Sequence, residues 1–558
     1  MADYANRQNV HVFSDFDHRR FFSDHFSLNP DSGFARYPFG AINPCFAPRG
    51  GVLVPHVSAL VASLGFPPPM APMEEESSIL LRRLMVNEGL IPSLEEENRR
   101  RAIIEKLKRI VLKWVKKVAW QRRLPKHQIA ATSATVIAYG SYGLGVHGSE
   151  SDLDALCVGP FFATIAEDFF VVLRNMLKSR PEVSEIHCVK DAKVPLIRFK
   201  FDGILIDLPY AQLKVLTVPD NVNVLNPFFL RNIDETSWKS LSGVRANKCI
   251  IQLVPVLEKF QSLLRCVKLW AKRRGVYGNL NGFLGGVHMA ILAGFVCQCY
   301  PIATLGALLA NFFSTFAYWQ WPRPVRLRDG NYPAVGYPPG LMPIQLPCGA
   351  HQYCNSNITR STYYKIRAEF LRGHNLTKDC LNPDFNWQNL FEPFPYAKKY
   401  TWFVKIHLLV PTQDEFGYWV GWVKSRFRRL LIKLEEVYGI CDPNPAEYAE
   451  MEVKQPNMVF YWGLQSGKVN SSDMESVEMD FMKSLSNGYQ RPLGRIQLSI
   501  VHASQLHKTD QFDDNKTKKT TRACWRIRED NKHCKKMPVC SQQLSDHYMV
   551  GCGGGGGS

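Results

Sequence analysis

The hydrophobic positions of the chain change their period several times, and each change predicts a different element. Between Ile103 and Trp114, apolar residues recur every three or four positions, which predicts an amphipathic helix. Ser93 and Glu96 form the S-x-x-E pattern of a capping box, so the helix is expected to begin directly after Ser93. The preceding residues 1–70 show no sustained period and are expected to form a poorly ordered arm.

Short apolar runs follow, and they predict strands. The predicted strands cover residues 134–139, 153–158, 196–200 and 204–208. Asp202-Gly203 separates the last two runs, and an Asp-Gly pair in this position is a strong signal for a tight hairpin.

The period becomes helical again in the second half of the chain. One amphipathic helix is predicted from Leu253 to a stop at Gly275. Residues 275–322 carry no charged side chain, but polar residues and a proline interrupt the apolar run. We therefore expect two buried helices of a globular domain there rather than a membrane span.

The C-terminal third shows a third pattern. Residues 321–347 are rich in proline and glycine and predict a long loop. A strand is predicted over 400–410 and one long amphipathic helix over 416–434. Beyond residue 485 the pattern dissolves, which predicts a poorly ordered basic tail.

Composition adds a constraint on the partners. The 558 residues include 68 Lys and Arg against 50 Asp and Glu, a formal net charge of +18. Such an excess favours a polyanionic partner, with a soluble protein that is merely basic as the alternative. The first 19 residues contain no apolar signal segment, and no membrane association is expected.

Three aspartates interrupt or precede apolar strands. Asp152 and Asp154 are two positions apart, so both side chains point the same way, and Asp207 lies on the second arm of the predicted hairpin. Neighbouring carboxylates repel unless a cation lies between them, and Mg²⁺ accepts oxygen ligands while leaving positions for phosphates. The set suits a two-metal site for an in-line displacement. A surface turn with solvated aspartates is the alternative.

A glycine-serine pair and a basic helix face complete the candidate chemistry. Gly140-Ser141 ends the first predicted strand, where the backbone can approach a phosphate and its N–H groups can bind an anion. Arg265, Lys268 and Lys272 share one face of the predicted helix. This face suits a triphosphate, and a solvated basic face stays open as the alternative.

These segments together resemble the signatures of eukaryotic nuclear poly(A) polymerases, in a plant-like style. That family belongs to the DNA polymerase β-like nucleotidyltransferases. The resemblance extends from about residue 65 to 485 and rests mainly on YGSYGLGVHG at 139–148, SDLD at 151–154, KLWAKRRGVYGN at 268–279, GFLGGV at 282–287 and LMPI at 341–344.

The resemblance implies an α+β multidomain fold. A nucleotidyltransferase mixed sheet with helices, a helical middle domain and an RRM-like α/β sandwich would follow one another. The implied boundaries are 1–70 for the arm, 71–220 for the catalytic domain, 221–385 for the middle domain, 386–485 for the RRM-like domain and 486–558 for the tail.

The resemblance also implies a role for each site residue. Asp152 and Asp154 would ligate both of two ions, Mg²⁺ or Mn²⁺, and Asp207 would hold the ion that activates the primer 3′-hydroxyl. ATP is the implied substrate. The residues implied to bind its triphosphate or sugar are Tyr139, Gly140, Ser141, Lys268 and Tyr277. Those implied to lie against the adenine are Asn279, Gly286 and Val287.

The implied activity is template-independent transfer of AMP from ATP to an RNA 3′ end in the nucleus. The implied protein is a monomer assisted by cleavage and polyadenylation factors. A transferase that adds uridylate or CCA and a catalytically silent RNA-binding scaffold stay open as alternatives.

Three departures from the family pattern bear on these alternatives. Ser242 stands where the family usually has an asparagine that contacts the ligand. Pro209 follows Asp207 closely and is expected to bend or end the strand. The C-terminal domain lacks the aromatic RNP1 pattern that stacks bases, so its RNA contacts are expected to involve the RNA backbone.

Overall fold

The computed structural model describes residues 70–327, 340–348, 352–354, 356–382, 384–450, 452–465, 471–489 and 494–506. The predicted arm up to residue 69, the middle of the predicted loop at 328–339 and the tail from residue 507 on lie outside these residues.

The first part of the described chain alternates helices with the strands of a first sheet. Its elements are α1 (Met70–Asn87), α2 (Leu94–Gln121), α3 (Lys126–Ala131), β1 (Thr135–Tyr139), α4 (Gly140–Gly143), β2 (Leu153–Gly159), a π-helix (Ile165–Leu173), α5 (Arg174–Lys178), β3 (Val183–Val189), β4 (Leu196–Phe201) and β5 (Ile204–Gln212). The predicted start of α2 is confirmed, because the Ser93 hydroxyl accepts a hydrogen bond from the backbone N–H of Glu96 at 3.2 Å.

The first sheet is mixed, and an apolar core lies on each of its two faces. Its strand order is β1-β2-β5-β4-β3, with β2 and β5 parallel and the other pairs antiparallel. Leu153 and Ala155 join Trp114 of α2 in the core on one face, and Leu156 belongs to a separate core. Because strand residues alternate between faces, Asp154 points away from α2.

The predicted hairpin is confirmed, whereas the strand does not end at Pro209, which was one of the two effects expected of this proline. Asp202 and Gly203 have φ values of 47° and 81°, as a tight I′ turn requires. Strand β5 continues through Pro209. Pro209 pairs with Leu196, where β4 begins, and the pairing with β2 omits Pro209 and resumes at Tyr210. The proline lacks a backbone N–H, and it therefore lies where the hydrogen bonding between β5 and β2 is interrupted.

A helical body follows the first sheet. Its elements are α6 (Pro227–Leu230), α7 (Glu235–Leu253), α8 (Leu257–Arg273), a 3₁₀ turn (Asn279–Asn281), α9 (Gly286–Cys299), α10 (Leu305–Ala317), α11 (Arg360–Thr377) and a second 3₁₀ turn (Trp387–Phe391). Helices α9 and α10 are the two buried helices that the sequence predicted. Among the described residues, no helix is long and apolar enough to cross a membrane.

The helix predicted from Leu253 begins four residues later, at Leu257. Leu253 instead ends α7, because Pro255 restricts Val254 to extended backbone. The predicted stop at Gly275 is confirmed. Gly275 has φ 65° and ends α8 with the two hydrogen bonds of a Schellman motif.

Helix α1 packs on the helical body, although residues from 71 on were predicted to belong to the first domain. Leu81 and Met85 are buried in the same core as Trp270 of α8 and Phe312 of α10. The backbone N–H of Gly306 donates to the Ser78 hydroxyl at 3.0 Å. The first helix therefore contributes to the core of the second body.

The last body is built on a second sheet. Its elements are α12 (Tyr396–Lys399), β6 (Trp402–Leu409), α13 (Gln413–Lys424), α14 (Phe427–Tyr438), β7 (Cys441–Pro443), β8 (Asn457–Leu464), α15 (Ser471–Ser486), β9 (Arg495–His502) and a 3₁₀ turn (Ala503–Gln505). The strand order is β7-β8-β6-β9 and all pairs are antiparallel. This β-α-β-β-α-β succession is the RRM-like sandwich that the sequence predicted.

Two predictions for this body were wrong. The helix predicted over 416–434 is interrupted at Ser425 and Arg426, where the Arg426 guanidinium stacks on the Trp422 ring at 3.2 Å from its centroid. The chain beyond residue 485 is also not all tail, because β9 pairs with β6 along its whole length.

One face of the second sheet is covered by the chain's own aromatic residues. Phe403 and Tyr461 of the sheet are buried in a core with Tyr396 and Tyr448. These rings are therefore not exposed for base stacking, in line with the absence of the RNP1 pattern.

Candidate active site

Four polar side chains form one row across the first sheet. The strand register pairs Tyr139 with Asp154, Asp154 with Asp207, and Asp207 with Arg198. Register partners lie side by side on one face of a sheet. The row therefore faces away from α2, and it contains three of the residues singled out in the sequence together with Arg198, which was missed.

The carboxylates of the row repel each other. Asp152 directly precedes β2 and shares the side of Asp154. Burial of Asp154, followed by the charges of Asp207 and Asp152, raises the pKa of Asp154 to about 6, while Lys268 and Arg198 act in the opposite sense. A carboxylate in this environment is stabilised strongly by a cation beside it.

Asp207 is held by Arg198. The Nε and Nη2 atoms of Arg198 donate to the two carboxylate oxygens at 2.6 and 2.7 Å. These hydrogen bonds raise the pKa of Arg198. In the part of the chain that the structure describes, no three His, Cys, Asp or Glu side chains gather as a ready-made metal site. The donor chemistry nevertheless fits divalent ions, because three carboxylates on one side offer the oxygen ligands that Mg²⁺ and Mn²⁺ prefer.

Gly140 lies directly against Asp154. It has φ 63°, and a Cβ atom at this position would overlap the Asp154 carboxylate. Asn247 of α7 fixes the turn by donating from Nδ2 to the Gly140 carbonyl at 2.9 Å. Ser141 follows in the same turn. The glycine-serine pair is thus placed beside the carboxylate row.

Gly140→Ala is expected to lower kcat/KM by about 10²-fold, because a displacement of reacting groups by about 1 Å suffices for such a loss. The methyl group would displace the Asp154 carboxylate and strain the left-handed backbone. Gly89→Ala is the matched control, since Gly89 has φ 64° and open space around its Cβ position. Steady-state kinetics of both variants check the expectation. Equal losses in the two would contradict a role for the contact with Asp154.

The basic face of helix α8 contacts the loop that follows α4. Arg265 and Lys268 donate to the backbone carbonyls of residues 145–146, Lys268 at 3.5 Å. Burial, followed by the charges of Lys272 and Arg265, lowers the pKa of Lys268 to about 8, whereas Asp154 raises it. Lys268 and Arg265 are half-buried in the wall of the site, and Lys272 is exposed.

The lowered pKa of Lys268 predicts a pH dependence. As the pH rises through about 8, the ammonium loses the charge that would attract a triphosphate, so KM for a triphosphate substrate should rise. One pH unit above the pKa leaves about one lysine in ten charged, and KM should be roughly tenfold higher there. Initial rates between pH 7 and 9 check this, with Lys268→Arg expected to flatten the profile. A flat profile in the unmodified protein would be evidence against a phosphate contact of Lys268.

The residues implied to lie against the base gather at the start of α9. The Tyr277 hydroxyl is 3.2 Å from the Cβ position of Gly286, and Val287 is half-buried in the same turn. Asn279 is held by Asn357, whose backbone N–H donates to the Asn279 Oδ1 at 3.2 Å. Asn357 carried no signal in the sequence.

Ser242 directly precedes Gly243, which packs against Tyr139 of the row. A Cβ atom at Gly243 would come within 2.8 Å of the Tyr139 ring. The Ser242 hydroxyl donates to the Lys239 carbonyl in its own helix at 2.6 Å. Ser242, which departs from the family pattern, therefore lies next to the site, and its hydroxyl is hydrogen-bonded within α7.

The mixed sheet, the carboxylate row and the adjoining helical body define the chain as a nucleotidyltransferase. Sequence comparison then narrows the class. The family model of the poly(A) polymerase nucleotidyltransferase domain matches residues 67–254, and that of the poly(A) polymerase central domain matches residues 259–393. The chain is 70% identical to nuclear poly(A) polymerase 3 of Arabidopsis thaliana over 482 residues, which are 86% of this chain and 95% of that protein. The chain belongs to the poly(A) polymerase family.

More distant relatives agree with this assignment. Nuclear poly(A) polymerase 4 of Arabidopsis thaliana is 36% identical over 70% of this chain and 54% of its own length. Poly(A) polymerase PAPalpha of Candida albicans is 33% identical over 74% of this chain and 78% of its own length. The crystal structure of the Cid1 poly(U) polymerase aligns with 57% of this chain and 99% of that chain, at a TM-score of 0.39 and 17% identity. That similarity is too low to bear on the substrate.

Proposed function

We propose that the chain is a nuclear poly(A) polymerase that transfers AMP from ATP to the 3′ end of RNA without a template. The observation that carries this proposal is the 70% identity over 95% of an Arabidopsis nuclear poly(A) polymerase. The carboxylate row supports it, because Asp154 lies between Asp207 and Gly140, and the charge of Asp152 acts on Asp154.

In this proposal Asp152, Asp154 and Asp207 would hold two divalent ions, Mg²⁺ or Mn²⁺, which would stabilise the attacking and leaving oxygens. Lys268 supplies a positive charge beside the row for the phosphates. Tyr139 stays a neutral hydrogen-bond donor, because burial and the charges of Asp154 and Asp207 raise its pKa.

In this proposal, the turn at Gly140 and Ser141 and the start of α9 bind the rest of the nucleotide. The backbone of Gly140 and Ser141 lies where a phosphate can approach closely. Tyr277 binds the sugar or triphosphate, and the neighbouring Asn279, Gly286 and Val287 lie against the adenine. Asn357 orients Asn279 for that contact.

The proposed cellular location and partners rest on the same similarity to the Arabidopsis protein. The proposed site of action is the nucleus, as the name of the Arabidopsis relative suggests. The chain would act as a monomer with cleavage and polyadenylation factors as partners. Its RNA partner is consistent with the net charge of +18.

A primer-extension assay tests the proposal. The purified chain is incubated with labelled oligo(A), Mg²⁺ or Mn²⁺ and each nucleoside triphosphate separately, beside an Asp152→Ala control. The expected result is a ladder with ATP alone that is absent from the control. Extension with UTP or CTP would replace the substrate assignment. RNA binding without any ladder would favour the scaffold alternative.

A further inference from the structure

Helix α2 carries a row of cations that the proposed reaction does not use. We call this row the basic stripe. It consists of Lys106, Arg109, Lys113, Lys116 and Lys117. At 3.6 residues per turn these five positions fall within about 100° of arc on the helix, and the row is about 17 Å long. The spacing between successive turns is comparable to that between neighbouring phosphates of an extended single strand.

The basic stripe lies behind the first sheet. The opposite side of α2 is apolar and packs on the sheet, with Leu107, Ile110 and Trp114 buried in that core. Asp154 points to the other face of the same sheet. The stripe is therefore a surface separate from the carboxylate row.

The charge of the basic stripe is only partly compensated. Lys106 reaches Asp202 at 3.1 Å. Lys113, Lys116 and Lys117 are exposed and form no ion pair with any residue that the structure describes. This part of α2 presents three adjacent free charges to solvent.

A groove beside the stripe is lined by one further cation, Arg180. It has a volume of about 200 Å³ and is lined by Lys106, Arg109, Ile110, Lys113 and Arg180. Arg180 also approaches Glu182 at 3.6 Å. Four cations around one groove favour an anionic ligand with several charges.

An exposed tryptophan stands at the end of the stripe. Trp120 falls in the same arc of α2, and 71% of its surface is exposed. An aromatic side chain next to a line of cations is the combination that binds single-stranded nucleic acid, with bases stacked on the ring and phosphates on the cations.

We propose that the basic stripe and Trp120 bind the single-stranded part of the RNA substrate upstream of its 3′ end. The proposal rests on the proposed function, which brings RNA to this chain. Charge complementarity favours RNA over an acidic protein, because regular spacing and an exposed indole suit a repeating phosphate backbone with bases. The site would extend the RNA contact beyond the catalytic face and hold long substrates between additions.

The test compares two triple variants on two primers. Lys113→Ala/Lys116→Ala/Lys117→Ala removes the free charges of the stripe. Arg83→Ala/Lys193→Ala/Lys378→Ala is the matched control, which removes three exposed but scattered cations. Affinity is measured by fluorescence anisotropy for oligo(A) of about five and about thirty nucleotides. The stripe variant should bind the long RNA on the order of tenfold more weakly, with a salt slope reduced by about 2. Its affinity for the short primer and its rate of addition to it should not change.

Trp120→Ala provides a second readout. It should weaken binding of the long RNA about fivefold, since stacking of one base is lost, and Trp120→Phe should restore most of the affinity. Equal affinity and salt slope of the two triple variants would overturn the proposal and leave an acidic protein as the ligand of the stripe. Failure of the proposed function is distinguishable, because the unmodified chain would then not extend even the short primer.

Discussion

Asp207→Asn is expected to abolish nucleotide addition while leaving the fold intact. The substitution keeps the shape of the side chain and removes its charge from the row next to Asp154. Stabilisation of the attacking oxygen is worth several kcal/mol, so the rate should fall by at least about 10³-fold. The fold should tolerate the change, because Arg198 is 47% exposed and can be solvated when its partner is neutral. Primer-extension rates at saturating ATP and thermal unfolding of the same sample measure both effects.

The same hairpin offers a matched control. Asp202 lies at its turn and pairs with Lys106 behind the sheet, away from the carboxylate row. Asp202→Asn removes the same charge, and asparagine tolerates the positive φ of this position. This variant should retain its rate within about twofold. If Asp207→Asn kept a comparable rate, Asp207 would have no place in the reaction.

The local parts of the fold were predictable because their signals lie within a few residues. Three boundaries depend only on the local backbone. They are the helix start after Ser93, the hairpin turn at Asp202-Gly203 and the helix end at Gly275. Strand β3 was missed because its apolar residues are separated by polar ones and its register shifts between Ser184 and His187. Strand β9 alternates buried and exposed residues, but its partner β6 lies far away in the sequence.

The candidate site was predictable where one hairpin sets the register. The turn at 202–203 pairs residue 201 with 204, and counting back along both strands pairs Arg198 with Asp207. The sequence therefore contained the signal for Arg198, which was overlooked. Asn247 carried no such signal, because it reaches the Gly140 turn from a helix 107 residues away. Contacts of this kind depend on the packing of whole bodies rather than on any local pattern.

A buried ion pair joins the helical body to the second sheet. Lys365 of α11 donates to Asp442 of β7 at 2.8 Å, and the two side chains are 8% and 3% exposed. Tyr400 donates to the other Asp442 oxygen at 2.8 Å, and the Lys365 ammonium also donates to the Tyr396 hydroxyl at 2.6 Å. Each charge is desolvated and depends on these partners for its stability.

Asp442→Ala is therefore expected to lower the free energy of unfolding by about 3–5 kcal/mol, since it leaves the Lys365 ammonium buried without a counter-charge. The midpoint of chemical denaturation measures the loss. Glu436→Ala is the control, because Glu436 pairs with Lys433 at the surface, where both side chains are about half exposed, and it should change stability by less than about 1 kcal/mol.

The double variant Lys365→Met/Asp442→Leu separates the cost of an unpaired charge from the value of the pair. An apolar pair of similar volume can replace a buried ion pair at little cost, so the double variant should regain most of the stability lost in Asp442→Ala. Because the pair connects α11 to β7, a stable double variant with impaired extension of long RNA would show that the charges also set the orientation of the two bodies. A loss below about 1 kcal/mol in Asp442→Ala would mean that water or a rearranged neighbour solvates Lys365.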